Sequence, residues 1–312
     1  MPEPEFRPMG ADDVATCVAV FYAALEDLRE RRGDTLLPRN EPAVERLFRR
    51  LRDSHPAGAC LAEIDGEIVG FGIAVERERL WFLAFLFVLP AHQASGIGRR
   101  LLERTFPAVG ADAWRAGGGV MATCVDAAQP VSTGLYASFG IVPRTPLYLL
   151  TGLPPAGALD ALPTSVEAVA FAAVDASAGA DALGAALDEL DLSVLGHRRA
   201  IDHRDDRAEG RRGWLYRPPS GGPALGYGYV QPSGRIGPVV ARDPALLEPI
   251  VGHLISSLTP AGAWQLLVPG PSAALPALLR AGLRFDDVPA LLCGDGPYFA
   301  AETYLLRSFA LP

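Results

Sequence analysis

The chain contains no lysine; all 28 of its basic residues are arginine. That absence excludes a Walker-type phosphate loop, whose lysine reaches the terminal phosphates. It also excludes pyridoxal phosphate chemistry, which needs a Schiff-base lysine. Cysteine is scarce: Cys17, Cys60, Cys124 and Cys293 form no close pairs. Zinc-ligand spacing is therefore missing, no metal is expected, and reduced core thiols of a cytoplasmic protein are the natural reading. The longest apolar run, LWFLAFLFVLPA at 80–91, falls well short of the roughly 20 residues of a membrane span. The opening MPEPEFRPMG is acidic and lacks the apolar stretch of a signal peptide. With a formal charge of −8, clustered cations for gripping phosphate are not in excess. Nucleic acid and anionic membranes are therefore not expected as partners, while an amine ligand is compatible.

What is present is a core. The 312 residues are 49% hydrophobic, enough for one large domain or two of ordinary size. The first half alternates strand and helix signals. EFRPM (5–9) reads as a strand, then 11–30 and 41–53 as helices, the latter with proline in its first turn. Segment 59–75 folds back around Asp65-Gly66 as a hairpin. RLWFLAFLFVL (79–89) is a buried strand. A polar turn and a helix follow, the helix with Leu101, Leu102, Thr105, Phe106 and Val109 on one side. GVMATCV (119–125) is a second central strand, 129–140 a short helix striped by Val131, Leu135 and Phe139, and 142–152 a closing strand.

The stretch after this strand is rich in Pro, Ala and Gly and reads as a linker. The rhythm then restarts: 166–175 reads as strand and 180–196 as helix. IVGFGIAV (68–75) is echoed by ALGYGYVQ (224–231), so that Gly70 and Gly72 align with Gly226 and Gly228 half a chain length away. Strand, helix, strand and helix follow at 235–241, 244–258, 264–270 and 272–282, in the order of the first half. We read an internal duplication: an α/β fold of two similar units, 1–153 and 166–312, joined by a linker at 154–165.

The junction QASGIGRR (93–100) joins the central strand to a helix. A helix N-terminus carries unpaired N–H groups and partial positive charge, and glycines let a phosphate approach them. Gln93, Gly96 and Gly98 give the spacing Q-x-x-G-x-G, with Arg99 and Arg100 just inside the helix. A Rossmann fingerprint needs glycine or alanine where Leu101 stands. Taken alone, the stretch also suits a plain tight turn.

With the element order of residues 5–152, the junction resembles the GCN5-related N-acetyltransferase family. That family's pyrophosphate motif, [QR]-x-x-G-x-[GA], lies between a central strand and a helix. LYASFGI, with Tyr136 and Gly140, resembles its later tyrosine pattern. The resemblance implies units with a mixed, mostly antiparallel sheet and flanking helices. It implies acetyl-CoA as co-substrate, with pantetheine beside Phe87, Val88 and Leu89. The diphosphate would sit on the amides of Ala94, Ser95, Gly96, Ile97, Gly98 and Arg99, with Arg100 near. A small-molecule or protein amine would attack the thioester directly, and Tyr136 would protonate the departing thiolate. Many family members place a glutamate in the central strand as base. Residues 80–89 hold no carboxylate, which leaves Asp126 as the nearest candidate, ahead of Glu78 and His92. That gap keeps a non-catalytic acyl-CoA-binding or sensing protein open as the alternative.

In the second copy, Asp243 and Pro244 replace the glycine turn, and a carboxylate there repels phosphate. A degenerate unit without a normal diphosphate loop is expected. Trp214, Tyr216, Tyr227 and Tyr229 either wall a cleft or fill a core. GHRRAIDHRDD (196–206) offers His197, Asp202, His203, Asp205 and Asp206, which read as solvated helix-end residues rather than metal ligands. A monomer or homodimer is expected.

Overall fold

The computed structural model describes residues 3–36 and 38–311. Met1 and Pro2, where the reading of the N-terminal decapeptide begins, lie outside them. The chain divides into two compact units, 1–123 and 124–312.

The first unit runs β1 (Glu5–Pro8), α1 (Val14–Arg32), α2 (Glu41–Ser54), β2 (Ala59–Ile64), β3 (Glu67–Arg77), β4 (Leu80–Val88), α3 (Ile97–Arg104), α4 (Ala111–Ala116) and into β5 (Val120–Asp126). Its strands lie in sequence order, antiparallel except for the parallel pair β4–β5. Asp65 and Gly66 both have positive φ, which makes the tight β2–β3 turn the sequence asked for. Alternation along β3 serves two layers. Phe71 meets Phe48 of α2 with ring centroids 5.2 Å apart, while Gly70 and Gly72 face α3 on the other side. A Cβ on Gly70 would lie 3.1 Å from Leu101, and one on Gly72 3.0 Å from Thr105. The glycines let α3 sit close enough to bury Leu101 and Leu102 completely, each burial worth about 1.5–3 kcal/mol.

The second unit continues with α5 (Pro130–Ala137), β6 (Val142–Gly152), β7 (Glu167–Ala170), α6 (Phe171–Ala178), α7 (Ala180–Val194), α8 (Ala200–Ala208), β8 (Arg212–Arg217), β9 (Gly226–Val230), β10 (Arg235–Ala241), α9 (Leu247–Ser256), β11 (Trp264–Pro269), α10 (Leu275–Arg280), β12 (Arg284–Phe285), β13 (Ala290–Gly294) and β14 (Tyr304–Leu305). Its strand order is β13-β6-β11-β10-β9-β8-β7, with β12 on β6 and β14 on β10. β10–β11 is parallel, while the ladders of β6 with β11, β12 and β13 and those of β7–β8, β8–β9, β9–β10 and β10–β14 are antiparallel. The mixed, mostly antiparallel α/β architecture expected from the sequence is therefore present in both units. β6 makes its ladders late in the chain: Val142–Leu147 with β13 and Leu147–Gly152 with β11. Residues 153–165 carry no helix or strand, and Leu159 and Leu162 within them pack against the second unit's core.

The duplication is visible in atomic detail. A Cβ on Gly226 would lie 3.0 Å from Ile250, and one on Gly228 2.6 Å from Leu254. These contacts repeat Gly70–Leu101 and Gly72–Thr105, again with helix residues four apart. The partner strands match as well: Gly70↔Val88 and Gly72↔Leu86 in one, Gly226↔Ala241 and Gly228↔Val239 in the other. Each ladder carries an irregularity just beyond these pairs, between Ile73 and Ala74 on β3 and between Ile236 and Val239 on β10. Each parallel ladder stops there too, at Leu83↔Thr123 and at Ile236↔Leu266.

Several local expectations need correction. Segment 166–175 is strand only to Ala170, then becomes α6, because Phe171 turns inward over Gly213 and meets Tyr229 edge-on at 5.2 Å. Val109 is 64% exposed and lies beyond α3. On α5 the expected stripe is rotated: Val131 is 79% exposed and Tyr136 is the buried residue.

A Gly226→Ala substitution drives a Cβ to 2.5 Å from the Val240 carbonyl, an overpacking expected to cost about 1–3 kcal/mol. Gly184→Ala, in the exposed middle of α7 with nothing within 4 Å of its Cβ, should stabilise by about 0.5–1 kcal/mol. Urea denaturation of the two variants beside the wild type measures both signs.

Candidate functional site

β4 outlasts its parallel partner. Its ladder with β5 ends at Leu83↔Thr123, where the Thr123 hydroxyl also donates to the Leu83 carbonyl at 2.9 Å, yet β4 continues to Val88. The phase of the β3–β4 ladder decides which backbone groups face the unpaired edge. The Leu89 amide donates to Val69 at 2.8 Å, so Leu89 and, two residues back, Phe87 point their backbone groups at β3. The groups of Leu86 and Val88 point the other way. Gln93 Nε2 donates to the Val88 carbonyl at 3.0 Å. The Val88 amide and both backbone groups of Leu86 meet no strand among the described residues. Of the three residues expected there, the open edge thus receives Val88, and Leu86 joins it.

Past Val88 the chain makes a short 3-10 turn, Pro90–His92, and enters the junction. Ser95 Oγ donates to the His92 carbonyl at 2.5 Å. Ala94 has φ +59° and Gly96 φ +85°. Glycine tolerates that geometry, but for alanine it costs about 1–2 kcal/mol, and such strain concentrates at ligand clamps. Ile97 is buried at 3% exposure beside Leu101, Cys60, Ala62 and Val69; it pins the helix start while the preceding residues stay exposed. The first intrahelical bond is Arg100 N–H to Gly96 O at 3.2 Å. Among the described residues, the consecutive N–H groups of Ala94, Ser95, Gly96, Ile97 and Gly98 have no protein acceptor. A run of outward amides at a positive helix end is an anion cradle. It suits a diphosphate, and the open β4 edge beside it suits an amide-bearing arm.

The two arginines diverge. Arg99 lies 3.9 Å from Glu103. The Arg100 guanidinium stacks on the Phe6 ring at 4.4 Å, and Arg104 stacks there at 4.7 Å. Arg100 is thus engaged with β1 rather than with the amide cradle.

The two candidates for proton transfer lie in the second unit. Tyr136, at the end of α5, is 5% exposed. Burial raises its phenol above the usual value near 10, with Cys293 and Cys124 adding to the rise. It is therefore a protonated donor at neutral pH. Asp126 ends β5 and accepts the Ala128 N–H at 2.8 Å, a turn-stabilising bond.

The His/Asp segment is largely buried rather than solvated: His197, Asp202, His203 and Asp206 are at most 5% exposed. Among the described residues no cluster of His, Cys, Asp or Glu is placed to hold a metal. Instead, Asp191 of α7 is fully buried and gathers Tyr227 OH at 2.6 Å, His203 Nε2 at 2.9 Å and the Arg199 amide at 3.1 Å. His203 Nδ1 meets Tyr229 OH at 2.9 Å. Tyr216, Tyr227 and Tyr229 are core residues. The single-sequence clue was Asp191 itself, at a core position of the α7 stripe. No helix among the described residues is long and apolar enough to cross a membrane.

The profile of the Acetyltransferase (GNAT) family matches residues 22–141. An uncharacterised N-acetyltransferase of Archaeoglobus fulgidus is 34% identical over 113 residues, spanning 32% of this chain and 69% of that protein. A solved Pyrococcus horikoshii chain described as an acetyltransferase superposes with TM-score 0.71 at 20% identity, covering 99% of this chain and 96% of its own. A tandem GNAT protein from the clavulanic acid biosynthesis pathway superposes with TM-score 0.56 at 15% identity, covering 95% of this chain and 99% of its own. The last two likenesses concern fold.

Burial, helped by Arg199, pushes the His197 imidazole down to about 4. The unfolded chain protonates it near its ordinary value of about 6.5, so stability falls as pH drops through that window. Between pH 7 and pH 5 the loss from this group should be roughly 2 kcal/mol. In His197→Gln the fall over the same interval should be smaller by that amount, read from urea titrations at both pH values.

Proposed function

We propose, from the premise that this chain belongs to the acetyltransferase (GNAT) family and carries two GNAT-like units in tandem, that it is an acetyl-CoA-dependent N-acetyltransferase acting on a primary amine. The supporting observation is the run of amides from Ala94 to Gly98 that, among the described residues, lack a protein acceptor, beside the β4 edge that there carries no strand. Acetyl-CoA supplies an activated thioester. The amides of Ala94 to Arg99 would hold its diphosphate, Val88 and Leu86 would pair with its pantetheine, and the β4 edge would orient the carbonyl for direct attack. Tyr136, protonated at neutral pH, is assigned the proton donated to the departing thiolate. Asp126 is assigned the proton leaving the amine, directly or through water. The acceptor is a small-molecule or protein amine, handled by a cytoplasmic monomer or homodimer without metal. The repeats are taken to run over 1–153 and 166–312, with 154–165 between them.

One observation favours a second reading. Residues 80–89 contain no carboxylate to serve as base, as expected of a chain that binds acyl-CoA as a sensor without transferring it. Acetyl-CoA binding without acetyl transfer or thioester hydrolysis across an amine panel would favour that reading.

Gly96→Asp places a carboxylate at the helix start, as in the second repeat. Calorimetric affinity for CoA should fall by at least about 100-fold, since charge and a self-bonding side chain compete with phosphate. Tyr136→Phe should bind CoA normally while kcat falls by about 100-fold or more; an unchanged kcat would remove Tyr136 from the mechanism. Asp126→Asn should bind CoA normally while kcat falls by about 100-fold or more, and an unchanged kcat would exclude it as base.

A further inference from the structure

The second repeat possesses the same cofactor-type strand edge as the first, and the chain's own C-terminus occupies it. The equivalence fixes the atoms. Arg242 N–H donates to Leu225 O at 2.8 Å, just as Leu89 N–H donates to Val69 O at 2.8 Å. Gly226↔Ala241 and Gly228↔Val239 match Gly70↔Val88 and Gly72↔Leu86. Ala241 and Val239 are therefore the counterparts of Val88 and Leu86, and their backbone groups face the edge left open where β10 parts from β11. In the first repeat that edge carries no strand among the described residues. In the second, the Ala241 amide donates to Thr303 O at 3.0 Å, and β14 pairs antiparallel through Val240↔Tyr304 and Val239↔Leu305. On the far side Leu306 N–H donates to Leu267 O of β11 at 3.1 Å. The segment is thus inserted between the two strands whose parallel ladder has ended.

The insertion is tight and dry. Tyr304, Leu305 and Leu306 are at most 1% exposed. A Cβ on Gly237 would stand 2.6 Å from the Leu306 carbonyl, so the strap is seated against the irregular part of β10. Arg307 anchors its end, with Nε donating to Asp206 at 2.5 Å and Nη2 to Glu209 at 3.0 Å. The helix start is closed as well. Asp243 Oδ1 accepts the Ala245 N–H at 2.9 Å, taking with a carboxylate the kind of donor that the first repeat leaves unpaired.

We propose that Thr303–Arg307 is a built-in occupant of the second repeat's acyl-CoA cleft. Its peptide groups take the backbone positions a pantetheine arm would take, and the chain binds one CoA, in the first repeat. The stoichiometry rests on the acetyl-CoA reading above; the occupancy of the second cleft does not.

Two measurements on the full chain test this. Native-state hydrogen exchange without ligand should show the Ala241 and Leu306 amides protected as strongly as that of Arg242, which donates to Leu225 O just beyond the β9–β10 ladder. Exchange of Ala241 and Leu306 at the rate of exposed amides, with Arg242 protected, would overturn the occupancy whether or not CoA binds. Calorimetric titration with CoA should give one site per chain, and Gly96→Asp should lose at least about 100-fold in affinity at that site while still unfolding in one cooperative transition. Two sites in the wild type, or one wild-type-strength site remaining in Gly96→Asp, would overturn the proposal. No heat at all with Ala241 and Leu306 protected would defeat the acetyl-CoA reading and the one-site claim, while the strap's occupancy stood.

Discussion

Backbone N–H and C=O groups that leave a ladder must find another partner, water or a ligand. The structure depends on that constraint at two strands, β4 and β10. Each bears a one-residue irregularity beside a glycine pair and loses its parallel neighbour at the same point. Beyond that point the strand keeps its antiparallel partner on one side and exposes donors and acceptors on the other. The glycines matter because they bring a helix down over the strand pair, which fixes where the following loop and helix start emerge. A bulge that re-aims a strand edge is a recurrent device beside active sites.

The two repeats resolve that exposed edge in opposite ways. In the first, the edge and the amides at the start of α3 remain available, at the cost of positive φ at Ala94. In the second, the same needs are met internally: β14 covers the edge and Asp243 accepts the amide. The second unit also diverts its polar side chains inward, with Asp191 organising Tyr227, His203 and the Arg199 amide. Such a network is stable only when its members are satisfied together, and it specifies one packing of α7 and α8 on the sheet. Among the described residues, one repeat leaves this edge without a strand and the other covers it with its own chain.

Much of this could be read in the sequence because it depends on neighbours. Asp65-Gly66 forces a turn, the apolar run of β4 forces a buried strand, and Q-x-x-G-x-G places bare amides at a helix start. The repeat was legible through GFG and GYG, since a glycine under a packed helix tolerates no substitute without strain. Asp243-Pro244 likewise announced a helix start whose own carboxylate accepts a backbone amide. Segment 166–175 misled because short Val/Ala runs suit either period, and the inward turn of Phe171 decided the outcome. The α5 stripe misled because Val131 and Tyr136 were ranked by hydrophobicity, whereas packing chose the residue facing the interior.

The amino-acid order by itself determined the absence of lysine chemistry, the two-fold rhythm, and the amide-rich junction from Gln93 to Arg99, all properties of composition or of contacts a few residues apart. Only the tertiary structure decided that Leu86 and Val88, rather than Phe87 and Leu89, offer their backbone to the open edge, because ladder phase is set by a distant partner strand. Only it decided that Thr303–Arg307 fills the second edge, since a short terminal segment carries no local signal for the strand it will join more than 60 residues upstream. The hydrogen bonds of a sheet are made between segments remote in sequence, and their register follows from which partners remain when the rest of the chain has packed.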